Sequence, residues 1–242
     1  MAKKKKKTVL STVISMVIIA AVIWMKYQET TDANIREGKV RDKSVEITVP
    51  AEQSDTSLTN LLSVVQLSST QFEVLKNCSL IDHRGNDGDS FHVKTAKGEE
   101  EVRLYFVDAP ESAARTYGGG ENNYERIAQQ GAAMGGLDQK QTTQVGVEAK
   151  LFAKKLLKAR PFTIVTKREK VYRSHRIYAY VIVEWEGEKR YLHELLVAHG
   201  LGRIHTKPMT MPDNTSGSRQ RDRLKTIENY AKSKDYGAWG AH

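Results

Sequence analysis

The sequence predicts an α+β fold: a small β-barrel of five short strands with helices packed on it, preceded by one N-terminal transmembrane helix. Three observations predict it. Five short runs rich in β-formers, residues 72–81, 90–94, 102–107, 162–171 and 177–185, are punctuated by turn signals such as Lys97-Gly98 and Glu186-Gly187-Glu188. Stretches of three-to-four spacing lie between and after them. The first 25 residues differ from everything that follows, with a lysine cluster leading into an uncharged apolar run.

That run is residues 8–25, 18 residues without a charge, after the basic tail 1–7 that holds Lys3 to Lys7. As a helix it would be about 27 Å long, close to the thickness of a bilayer core. Trp24 and Lys26 stand at its far end, where an aromatic ring and a snorkelling cation mark an interface. The lysines on the near side place the N-terminus in the cytoplasm and the rest of the chain outside it, at the cell membrane. A cleaved signal peptide is the competing reading. It lacks an Ala-x-Ala site, since Ala20 and Ala21 are adjacent and follow Ile19. Residues 26–70 are polar and mixed in charge and read as a linker or stalk, with a short helix over 58–65 leading into a folded domain at 71–242.

Within that domain, residues 72–81, with Phe72, Val74, Cys78 and Leu80, alternate loosely as a strand. A helix is predicted around Val147, Leu151, Ala153, Lys154 and Leu157. A short one over 192–199 is stopped by Gly200, and a last one runs over 219–234 with Leu224, Ile227 and Tyr230 on one face. Residues 113–145 hold Gly118-Gly119-Gly120 and Gly135-Gly136, with a candidate helix at 122–134 between them. The triple glycine lacks the strand–turn–helix setting of a dinucleotide fingerprint.

The net charge is +9, with five lysines at the start, five basic against seven acidic side chains over residues 8–60, and +6 left on residues 61–242. A basic domain suits a polyanion, and equally an ordinary basic surface. The single cysteine, Cys78, excludes an intramolecular disulfide and reads as a small core residue. No Cys or His cluster has zinc spacing.

Three short pieces carry chemistry: Asp87-Gly88-Asp89-Ser90, then Arg103-Leu104-Tyr105-Phe106-Val107-Asp108-Ala109-Pro110-Glu111, then His175-Arg176. Carboxylates hold hard divalent cations, forked guanidinium groups suit phosphate oxygens, and a spare carboxylate can act on water. Each piece has a plain alternative. Asp89 alone is turn chemistry, Arg103 in a strand is an edge charge, and Glu111 is a solvated loop carboxylate. The segment from His83 fails as an EF-hand because Lys94 falls where the loop needs its closing Glu.

Together and in order, these residues resemble the staphylococcal nuclease (thermonuclease) family. From Asp89 the intervals to Arg103, Asp108 and Glu111 are 14, 19 and 22 residues, the family spacing of Asp, Arg-Leu and Val-Asp-Thr/Ala-Pro-Glu. The resemblance covers residues 71–240 and implies a five-stranded OB-type barrel with three helices. It implies Ca²⁺ held by Asp89, Asp108 and the backbone carbonyl of Ala109. It further implies phosphate contacts from Arg103 and Arg176, and Glu111 acting on the attacking water as a base or as an orienting group. The activity implied is calcium-dependent hydrolysis of DNA, RNA or both, leaving 3′-phosphate ends. The chain departs from the pattern where Ser174 and His175 replace a Tyr-Gly pair before Arg176. It departs again after Gly200-Leu201, where His205 or Tyr172 would have to replace stacking tyrosines. Residues 113–145 are longer than the matching segment of compact members and, following Glu111, could form a rim or lid on the site. The alternative function is an inactive nuclease-like module that binds nucleic acid or protein at the membrane. Retention of all five charged residues discriminates against it.

Overall fold

In the computed structural model, which describes residues 56–241, alternation of apolar side chains builds the barrel. The strands are β1 (Glu73–Leu80), β2 (Ser90–Thr95), β3 (Gly98–Leu104), the two-residue β4 (Val107–Asp108), β5 (Phe162–Thr166), β6 (Ile177–Trp185), β7 (Glu188–Tyr191) and β8 (Arg203–Ile204). Phe91 and Val93 of β2 and Val102 and Leu104 of β3 point into the core, as period-two spacing requires. Five strands run in the order β3-β2-β1-β5-β6, and a parallel pairing of β3 with β6 closes the ring, with Arg103 opposite Tyr178. β7 extends β6 outside the closed ring, across the turn at Glu186-Gly187. β4 and β8 form a separate small ladder that sets Asp108 opposite Arg203.

The helices are α1 (Thr56–Leu61), α2 (Tyr124–Ala133), α3 (Gln139–Ala159), α4 (Leu192–Ala198) and α5 (Gly217–Ser233). α3 starts at a reciprocal cap: the Asp138 side chain accepts from the Gln141 N–H at 2.8 Å, and the Gln141 side chain accepts from the Asp138 N–H at 2.9 Å. Two backbone donors with no partner inside the helix are thereby satisfied, an arrangement worth about 1 kcal/mol.

Several expectations are corrected. The strand expected over 102–107 breaks at Tyr105-Phe106, where Phe106 adopts φ 69° and Val107 N–H bonds back to the Tyr105 carbonyl. The strand expected over 162–171 stops at Thr166. The Thr166 hydroxyl accepts from Arg168 N–H, and Arg168 turns into the left-handed region. The expected helix around residue 147 begins eight residues earlier, at Gln139. Its Ala153 and Leu157 are buried as expected, whereas Leu151 is exposed and Ala149 and Phe152 are buried in its place. Five α-helices are described instead of about three. Ordered packing begins before residue 71, because Leu58 and Leu62 join the central core. Cys78 is buried. The expected tail 1–7, anchor 8–25 and linker residues 26–55 lie outside the described residues. Among the described residues, no helix is long and apolar enough to cross a membrane.

Candidate active site

The site gathers at one end of the barrel, where β2 begins and β3 ends. Asp89 immediately precedes β2, and its carbonyl accepts from Leu104 N–H at 2.9 Å, so the two strand ends are stitched together there. Pairing of β2 with β3 puts Ser90 opposite Arg103. The left-handed turn at Phe106, a conformation that costs a bulky residue of order 1–3 kcal/mol, redirects the chain so that Asp108 turns inward after β3 ends. Helix α3 then seats the following loop. A side chain at Gly146 would come within 2.4 Å of the Glu111 carbonyl, so only glycine lets the helix approach there. Gly88 serves similarly, since a Cβ on it would meet Ala109 at 2.6 Å and Ala149 at 2.8 Å.

The fold brings all the sequence-predicted site residues together. Arg103 Nη2 donates to Asp89 Oδ2 at 3.0 Å and to Asp108 Oδ1 at 2.5 Å, so one nitrogen spans both buried carboxylates. Ala109 N–H donates to Asp89 Oδ2 at 2.7 Å. Arg176 joins through Ser90, whose hydroxyl accepts from Arg176 Nη1 at 3.2 Å and from Arg103 Nη1 at 3.4 Å. Ser174, at the departure from the family pattern, holds Arg176 by accepting from its Nε at 2.9 Å. A cleft of about 400 Å³ is lined by Arg103, Asp108, Glu111, Arg176, Tyr178 and His205, among others. His205 therefore faces the site. Tyr172 is 81% exposed and does not line the cleft.

Three further residues hold the site and were not singled out in the sequence. Arg126, on α2, donates from Nη2 to Asp108 Oδ1 at 2.6 Å and from Nε to Glu111 Oε1 at 2.8 Å, and it lines the same cleft. Gln130, one turn further along α2, is fully buried. Its Nε2 donates to Asp108 Oδ2 and to the Ala109 carbonyl, both at 3.0 Å, and its Oε1 accepts from Glu111 N–H at 3.0 Å. Arg203 Nε donates to Asp108 Oδ2 at 2.9 Å from across the β4–β8 ladder. The signal for α2 lay in its pattern: the polar Asn123 and Gln130 share the buried face with Ile127 and Met134. A buried amide on such a face needs partners.

Electrostatics follow from these contacts. Burial alone would raise the Asp108 carboxyl, but Arg126, Arg103 and Arg203, with the Gln130 hydrogen bond, outweigh it and hold it at about 2. Burial pushes Asp89 up, with Asp108 beside it adding to the shift against Arg103. Asp87 is pushed up to about 7 by burial and by the neighbouring Asp89.

The calcium site implied by the resemblance can be tested against these donors. Asp89, Asp108 and the Ala109 carbonyl are hard oxygens of a suitable type. Each is already engaged. Asp108 faces three guanidinium groups and an amide, the Ala109 carbonyl accepts from Gln130, and Asp89 accepts from Ser90, Ala109 N–H and Arg103. The cleft's carboxylate charge is thus offset by arginines, whereas a divalent ion calls for uncompensated negative charge. Among the described residues, no group of three or more His, Cys, Asp or Glu side chains is arranged to hold a metal. In this arrangement the residues do not fit an additional calcium ion.

No curated protein matches the chain. A family model does: residues 101–241 match the staphylococcal nuclease homologue family. The matched segment holds Arg103, Asp108, Glu111 and Arg176, and the fold supplies Asp89 from just upstream. A closed five-stranded barrel of the OB type, with the spaced Arg, Asp and Glu at its mouth and a family match over more than half its length, places this chain in the staphylococcal nuclease homologue family.

Proposed function

We propose that the protein hydrolyses phosphodiester bonds of nucleic acid in the cleft between Arg103, Glu111 and Arg176. The observation that carries this reading is the convergence of two guanidinium groups, bridged by one Ser90 hydroxyl, on a cleft that also exposes the Glu111 carboxylate. Paired arginines hold non-bridging phosphate oxygens through forked, charge-assisted hydrogen bonds. They gain strength as charge builds on those oxygens in the five-coordinate transition state. Glu111, fixed by Arg126 and by Asn123, orients a water molecule for in-line attack. The water oxygen bonds to phosphorus, the P–O5′ bond breaks, and the departing oxygen takes a proton. The products are a 3′-phosphate and a free 5′-hydroxyl. Asp89 and Asp108 keep Arg103 in place.

The net basic charge of residues 61–242 supports a polyanionic substrate, DNA or RNA. The apolar run at 8–25, preceded by lysines, supports a membrane-tethered enzyme whose reaction site lies outside the cytoplasm.

The test is incubation of the full chain, in detergent, with single-stranded DNA, duplex DNA and RNA, with Ca²⁺ and with EGTA. Glu111→Gln should lower the cleavage rate by about 10²–10⁴-fold with nucleic-acid binding kept. Binding without cleavage by the unaltered protein would favour the inactive binding module, and an unchanged rate in Glu111→Gln would remove its assigned role.

A further inference from the structure

The segment 113–145 does more than border the cleft. Through α2 it delivers one positive charge and one amide to the group of oxygens that the resemblance assigns to a metal. Arg126 bridges Asp108 and Glu111, while Gln130 bridges Asp108 and the Ala109 carbonyl. The orientation of the Gln130 amide is fixed at both ends, because its oxygen accepts from Glu111 N–H while its nitrogen donates to the other two groups. The Asp108 side chain is 1% exposed and that of Arg126 is 39% exposed. The arginine therefore reaches in from the surface and caps a buried carboxylate whose other partners, Arg103 and Arg203, come from the barrel and the β4–β8 ladder.

The geometry points to Arg126 as a built-in cation that competes with a divalent ion for Asp108. The guanidinium shares the charge of Asp108 with Arg103 and Arg203 and holds Glu111 beside it. A divalent ion that approaches Asp108 meets Arg126 there beside Arg103 and Arg203, and of the three Arg126 is the one that reaches in from the surface. A helix outside the barrel thereby weakens the hold of Asp108 on calcium. Gln130 adds to the effect by engaging the one backbone carbonyl among the expected ligands. This inference borrows its biological meaning from the nuclease reading, but cation binding is measurable without it.

The experiment is a calorimetric titration of Ca²⁺ into the full chain in detergent and into Arg126→Ala and Arg126→Lys, with thermal unfolding run on all three. Arg126→Ala should bind Ca²⁺ about tenfold more tightly or better, the equivalent of losing one charge-assisted competitor. Arg126→Lys keeps a positive charge without the fork and should fall between the other two. Equal or weaker binding by a folded Arg126→Ala overturns the inference. Binding by none of the three proteins at 10 mM Ca²⁺, a concentration chosen to saturate about millimolar sites, also overturns it. If Arg126→Ala does not fold, the comparison rests on Arg126→Lys, where tighter binding than in the unaltered chain supports competition and equal binding overturns it. A gain in Ca²⁺ affinity in proteins that cleave no nucleic acid would sink the nuclease reading and leave this inference standing.

Discussion

Two buried carboxylates, at different places in the domain, are kept in opposite ways. Asp108, at the cleft, is surrounded by three guanidinium groups and held down to about 2. Glu194, on α4, is also fully buried, but its direct partners are neutral: Ser63 N–H and hydroxyl at 2.8 and 2.5 Å, and the Gln220 amide at 2.6 Å. Burial therefore wins at Glu194 and pushes its carboxyl up, with those hydrogen bonds and the more distant Arg223 opposing. The cleft keeps a charge that it shares with arginines lining the same opening. The other region uses a carboxyl as a polar joint that fastens the segment after α1 to the domain. The same residue chemistry yields a reactive environment or a structural one according to whether its partners carry charge.

The largest expected effect strikes the cleft. Asp108→Asn removes the charge shared by three arginines and should cost about 3–5 kcal/mol in urea unfolding, as loss of one buried ionic partner does. It should also abolish cleavage. A cost below about 1 kcal/mol would show that the guanidinium groups are satisfied without it. Glu194→Ala comes next. It removes the acceptor of Ser63 N–H and hydroxyl and one partner of the Gln220 amide, and should cost about 2–4 kcal/mol, while cleavage per folded molecule stays within about twofold of the unaltered protein. Loss of cleavage in the folded variant would erase the distinction between the two regions.

A pH series sharpens the comparison with a third carboxyl. Asp87, raised to about 7 from an ordinary 3.8, binds its proton more tightly in the folded state. Its stabilising contribution is complete below 3.8 and is lost as pH rises through about 7. Asp108 has the reverse sign: its contribution is complete above 3.8 and is lost as pH falls through about 2. Asp87→Asn should leave stability at pH 4 unchanged and raise it at pH 8 by about 1–3 kcal/mol, read from denaturant midpoints. A flat difference across that range would show that the partly buried Asp87 is charged in the folded protein at no cost. The smallest expected effect is at Tyr172, whose exposed ring should tolerate replacement by Ala within about 0.5 kcal/mol of stability.

The legible parts of the molecule were those encoded by short-range pattern. Loose alternation marked β1, β-rich runs bounded by turn signals marked β2 and β6, and the intervals from Asp89 to Glu111 marked the cleft. The breaks were not legible. Nothing in the sequence around Phe106 advertises a left-handed turn, which is supported by bonds to Lys207 and His205 far along the chain. The face of α3 was only partly legible: Ala153 and Leu157 are buried as the pattern implies, but Leu151 is exposed and Ala149 and Phe152 take its place in the core. The partners of Asp108 escaped for the same reason of distance: Arg126 and Gln130 stand 18 and 22 residues away, and Arg203 stands 95 away. Their convergence exists only once the barrel has closed.

The cap on Asp108 and Glu111 rides on a helix of ten residues set between glycine pairs with positive φ, Gly119-Gly120 before it and Gly135-Gly136 after it. Such a helix is a cassette. It contributes no strand to the barrel, and it joins the barrel mouth through side chains alone at Asp108, Ala109 and Glu111. Part of the charge balance around Asp108 is therefore written in a segment that the barrel's own pairing does not specify.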